Sequence, residues 1–124
     1  MTILDEPTQQ TILKRILRDR AQRSQFLVQM QQRQKQGWRV ARQAAQVLKT
    51  EFGVQRVVLF GSMLEVKALT WHSDLDLAVW GLDKYDLFKA GARIEQGHDF
   101  DIDLVPVELA KPHILPAIHQ GAAL

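Results

Sequence analysis

Apolar residues change their spacing once along this chain, near residue 54. Before that point they recur at helical intervals. Ile12, Leu13, Ile16 and Leu17 form a first patch behind Pro7, with Thr8 as the expected N-cap. The next stretch, RDRAQRSQ, is almost wholly polar, and Phe26, Leu27 and Met30 then restore an apolar face. The pattern predicts a long, basic, Gln-rich helix over residues 8–36. Its two patches are too thin for a sustained heptad seam. Gly37 is expected to break or bend it. A second helix should follow, with Ala41, Ala44, Ala45, Leu48 and Phe52 on one face and Gly53 suited to its C-terminal cap.

After residue 54 the pattern is that of strands. RVVLF is β-branched and apolar and predicts a buried strand over residues 56–60. DLDLAVW predicts a second over 75–80, and FDIDLVPV a third over 100–105, with Pro106 marking its end or an edge. Between the last two, GLDKYDLFKAGARIEQG reads as a helix capped by Asp83, with Asp86 three residues on. KPHILPAIHQG reads as a short final helix, kept short by Pro116. The fold class expected from this order is α+β: a small mixed sheet with helices on one face, preceded by a long helical extension.

Charge sharpens the division. Residues 1–56 carry 11 Lys/Arg against 4 Asp/Glu, a net +7, whereas residues 57–124 carry 5 against 10, a net −5. The basic half suits an acidic protein or nucleic acid, and the acidic half suits cations. There is no cysteine, which excludes disulfides and thiolate metal sites. The opening MTILDEPTQQ carries acids and no apolar core of a signal peptide, and no apolar run approaches a membrane span. The expectation is a cytoplasmic protein with no membrane contact.

The acids of the second half are not scattered. Asp74 and Asp76 open a strand two residues apart, so both point to one side of it. Like charges that close repel, and a divalent cation removes the conflict. Hard carboxylate oxygens suit Mg²⁺, with Mn²⁺ as the alternative. Mg²⁺ completes its shell with water and substrate phosphates, so the pair points to metal together with nucleotide. Gly61 and Ser62 follow the preceding strand and should open a helical turn. Glycine admits close backbone approach, and free amides with the Ser62 hydroxyl can hold phosphate oxygens. A third carboxylate should come from DFDIDLV. Asp101 and Asp103 share a face there, and Asp103, in the local form D-L-V, is the favoured ligand and base, with Asp101 in reserve.

FGS, then SDLDLAVWG, then a strand with a further Asp resembles the signature of the polymerase-β-type nucleotidyltransferase superfamily, over about residues 54–124. The small size is similar to the minimal nucleotidyltransferases (MNT), antitoxin partners of HEPN-domain toxins. The resemblance divides the chain into an N-terminal helical extension, 1–52, and a nucleotidyltransferase domain, 53–124. It implies two Mg²⁺ ions, with Asp74 and Asp76 holding both and Asp103 one. It implies ATP or another nucleoside triphosphate as donor, and AMP transfer to a tyrosine of the HEPN toxin. The segment after Ser62, MLEVKAL, departs from the Arg- and Gly-containing continuation of many members. Glu65 adds a negative charge there, and Lys67 is the candidate compensating cation.

Two rival readings follow. A catalytically weak antitoxin would neutralise its toxin by binding alone, and a small-molecule nucleotidyltransferase would need an acceptor pocket. The basic helix is expected to dock on its own domain, or to meet a partner or a second copy of the chain in a homo-oligomer. Nucleic acid at Arg15, Arg18, Arg23 and Arg33 is the least favoured reading, because no aromatic platform accompanies them.

Overall fold

A computed structural model describes residues 5–124. Its first element is one helix where two were expected. Helix α1 runs unbroken from Glu6 to Glu51. Asp5, rather than Thr8, caps it: the Asp5 carboxylate accepts from the Thr8 amide at 3.0 Å, with Pro7 in the first turn. Gly37 does not bend it, because packing outweighs propensity there. Gly37 is buried, and a Cβ in its place would stand 2.5 Å from the Met63 sulfur. The missing side chain is the seat for Met63. The helix ends as its sequence predicts, on Gly53 at φ +66°.

Strand β1, Arg56–Phe60, pairs antiparallel with β2, Leu75–Trp80. A single 3-10 turn over Gly61–Leu64 follows β1, and a second spans Val66–Ala68. A 3-10 turn capped by Asp83 leads into α2, Leu87–Ile94. Strand β3, Ile102–Pro106, returns parallel to β2 and includes Pro106. The final helix is short: a 3-10 turn over Pro112–Ile114 leads into α3, Leu115–His119. A two-residue strand, β4, Ala122–Ala123, then pairs with β1, giving the order β3-β2-β1-β4. Sequence reading missed β4, which is too short to show a period. Its approach depends on Gly121, where a Cβ would stand 2.6 Å from the Leu59 carbonyl.

Side-chain alternation along the strands divides the core in two. Val57, Leu59, Leu75, Leu77 and Val79 face one way, against Met30, Ala41, Ala44 and Leu48 of α1 and Ala90 and Ile94 of α2. Val58, Phe60 and Ala78 face the other way, against Ile118 of α3. The long helix and α2 thus share one face of the sheet, and the small α3 covers part of the other. Among the described residues no helix is long and apolar enough to cross a membrane.

Candidate active site

The strand register aligns three positions across the sheet: Phe60 of β1 pairs with Asp76 of β2, and Asp76 with Asp103 of β3. By the same alternation, Asp76 lies on the face of Ala78, away from α1. Gly61 follows Phe60 at φ +85°, a conformation open to glycine. It sits so close that a Cβ there would meet the Asp76 carboxylate, with the carboxyl carbon at 3.3 Å. The glycine of the GS pair and the second acid of the DxD pair are therefore in direct apposition.

The electrostatics follow from this crowding. Asp76 is half-buried, and its pKa is raised from 3.8 to about 6. Burial is the largest cause, followed by repulsion from Asp103 and then from Asp74. No ion pair or hydrogen bond to its side chain offsets these effects among the described residues. Asp74 and Asp103 are exposed at the rim. Among the described residues no three acidic, imidazole or thiol groups stand at full ligand spacing. The fit to a divalent cation rests on the donor set: three carboxylates in electrostatic reach of one another, two exposed and one half-buried, with the pKa of the half-buried one raised by burial and by its two neighbours. Hard oxygen donors of this kind match Mg²⁺ or Mn²⁺.

The other sequence candidates are less closely bound to this centre. Ser62 is part-buried in the 3-10 turn, and its carbonyl accepts from Glu65 at 3.2 Å. Lys67 is exposed on the next turn and forms no ion pair among the described residues. Asp101 is exposed and contributes through its backbone, its carbonyl accepting from the Leu75 amide at 3.0 Å. That bond joins the mouths of β2 and β3 just where Asp74 leaves the sheet.

A family model described as "Polymerase beta, Nucleotidyltransferase" matches residues 42–124, two thirds of the chain. The chain belongs to the polymerase beta nucleotidyltransferase family. Comparison with curated proteins and with solved structures finds no match. The match spans the GS turn, the acids of β2 and β3, and the α+β core around them. It does not include the first 41 residues.

Part of that remainder nevertheless reaches the candidate site. Arg33 of α1 was a candidate phosphate contact in the sequence, but it turns inward. Its Nη2 donates to the Ser73 carbonyl at 3.0 Å, one residue before Asp74. Its guanidinium carbon stands 4.5 Å from the ring centroid of Phe100, which leads into β3. Gln34 Nε2 donates to the Met63 carbonyl at 3.1 Å, in the turn opened by Gly61 and Ser62. Two neighbouring residues of α1 thus contact all three segments of the candidate site. A polar helix face reads as solvated, so no sequence signal pointed to these inward contacts.

The loop before Asp74 is also locked from within. Ser73 is buried; its hydroxyl accepts from the Thr70 amide at 2.9 Å, and the Thr70 hydroxyl accepts from the His72 amide at 3.2 Å. Behind β3, His98 ties its turn: Nδ1 accepts from the Phe100 amide at 3.1 Å, which leaves Nε2 to donate to the Ile94 carbonyl at 2.6 Å. Arg33→Met keeps the bulk and removes the bond to Ser73. It is expected to leave the far-UV circular dichroism unchanged while lowering nucleotidyl transfer about 10- to 100-fold, the range for loss of a positioning contact behind candidate metal ligands. Raising the Mn²⁺ concentration should recover part of the rate, which would not happen if the variant merely unfolded.

Proposed function

We propose that the chain is a divalent-metal-dependent nucleotidyltransferase that moves AMP from ATP to a hydroxyl of a partner protein. The observation that carries the transferase reading is the pairing of Asp76 with Asp103 across neighbouring strands, with Gly61 packed against the Asp76 carboxylate. The amides and hydroxyl of Gly61 and Ser62 take phosphate oxygens, and Lys67 meets the triphosphate tail. Asp74, Asp76 and Asp103 would hold the metal. A divalent cation held there supplies Lewis-acid polarisation of the phosphoryl oxygens and balances their charge. The Asp103 carboxylate takes the proton from the acceptor hydroxyl. The hydroxyl oxygen bonds to the α-phosphorus, the bond from that phosphorus to the bridging oxygen breaks, and pyrophosphate leaves with its electron pair. The resemblance to MNT antitoxins names the acceptor as a tyrosine of a HEPN-domain toxin.

A second reading, neutralisation by binding alone, is favoured by one feature. The segment after Ser62 exposes Glu65 beside the phosphate-binding turn and brings no arginine. One experiment separates the two. The purified chain is incubated with α-labelled ATP, Mg²⁺ and a HEPN partner, and the partner is then weighed by mass spectrometry. Transfer predicts a gain of one or more AMP units, lost in Asp74→Asn together with neutralisation. Full neutralisation by Asp74→Asn with no gain in mass supports binding alone.

A further inference from the structure

The first half of α1 leaves the domain behind. Every residue from 6 to 29 is exposed, which at 1.5 Å per residue is an arm of about 36 Å. Near its base the Phe26 ring meets Trp71 edge-on, with centroids 6.1 Å apart. A lone helix of this length is marginal in water unless something packs on its face. The arm has such a face. Leu13 and Ile16, then Arg20 and Arg23, then Leu27 fall within about 80° of one another around the helix axis. Leu13, Ile16 and Leu27 are 55%, 43% and 48% exposed. The order along this face is apolar, basic, apolar. Neither arginine has an ion-pair partner among the described residues, where the salt bridge formed is Arg93 with Glu51.

The charges choose between occupants. Two copies paired in parallel would set Arg20 against Arg20 and Arg23 against Arg23. Paired antiparallel, with Leu13 of each copy on the mate's Leu27, they would set Arg20 against Arg20, with each Arg23 one turn from the mate's Arg20. Like charges juxtaposed in an interface cost several kcal/mol. Nucleic acid would satisfy the arginines but leave Leu13, Ile16 and Leu27 uncovered, with no aromatic row for stacking bases. We propose that the arm docks an amphipathic helix of a partner protein whose face runs apolar, acidic, apolar. Its carboxylates would meet Arg20 and Arg23 while its apolar residues cover the two patches. The inference stands on the arm and is independent of any group transfer at Asp76.

The chain itself supplies the probe. Arg20→Glu with Arg23→Glu, in the full chain, makes an arm of the same length and apolar pattern with the acidic centre the proposal requires. Sedimentation in 150 mM NaCl is expected to show wild type alone and the doubly reversed chain alone as monomers. Their mixture should form a 1:1 complex at least tenfold tighter than either self-association. Adding Leu13→Asp and Leu27→Asp to the reversed chain, with helix content confirmed by circular dichroism, should abolish it. A mixture that stays monomeric overturns the proposal. So does wild type that self-associates as tightly as the mixture, which would make a second copy the occupant. Tighter binding of wild type to a 20-base-pair DNA duplex or a 20-nucleotide RNA than to the reversed chain would assign the arm to nucleic acid instead.

Discussion

Asp76→Asn should lower nucleotidyl transfer by about 10³-fold, the scale for losing a charge-stabilising group at a reacting centre, and at the same time make the metal-free protein more stable. The second effect follows from the raised pKa. Asp76 titrates at about 6 in the fold, against 3.8 for the free side chain. The folded state therefore binds the proton more tightly than the unfolded state does. Below pH 4 both states carry it, and there is no penalty. As the pH rises from about 4 to about 6, the unfolded chain releases its proton first, so stability falls, and the full penalty is present above pH 6. For a half-exposed group, solvent screening leaves roughly 1 kcal/mol of it, which is a few degrees in Tm for a domain of this size. Thermal melts of the two proteins at pH 4 and pH 7.5, in the presence of a chelator, should coincide at the lower pH and separate at the higher, with Asn melting later. Adding Mn²⁺ should raise the wild-type Tm and narrow the gap. A less stable Asn variant at pH 7.5 would show that the Asp76 carboxylate is not held against its neighbours.

Gly61→Ala is the second large effect. The substitution forces a side chain into φ +85°, at about 1–2 kcal/mol, and drives the new Cβ into the Asp76 carboxylate. Gly97 separates these contributions. It has nearly the same backbone angle, φ +86°, but nothing within 4 Å of a Cβ. Gly97→Ala and Gly61→Ala are expected to lose similar stability through backbone strain. Transfer should fall at least about 100-fold in Gly61→Ala alone, as expected when reacting groups are displaced by about 1 Å. Equal activity in the two variants would remove the Gly61–Asp76 apposition from the account.

How much of this was legible in the sequence depended on whether a residue's environment is local. The three long strands were legible because a buried strand writes itself as a β-branched apolar run, as RVVLF does. The acids were legible because two carboxylates at a strand mouth have no packing use. The register that sets Asp103 beside Asp76 lies across separated segments; the local form D-L-V favoured Asp103 over Asp101, but the pairing itself shows only in the folded sheet. Gly37 misled because its low helix propensity is visible, whereas the Met63 side chain it admits is 26 residues away. Arg33 was hidden for a similar reason. An arginine in a polar helix looks solvated until the loop carrying Ser73 folds against it. The patches at 12–17 and 26–30 were legible as apolar groups needing cover; the chain's own core covers Met30 and leaves the rest exposed.

The most direct test of the central claim, that Asp74, Asp76 and Asp103 jointly hold a divalent cation beside the Gly61-Ser62 turn, is a Mn²⁺ titration followed by electron paramagnetic resonance with a non-hydrolysable ATP analogue present. The account predicts that wild type removes free Mn²⁺ from solution, and that Asp74→Asn, Asp76→Asn and Asp103→Asn each bind it at least tenfold more weakly. Mn²⁺ binding of equal strength in all four proteins, or none in wild type, would contradict it.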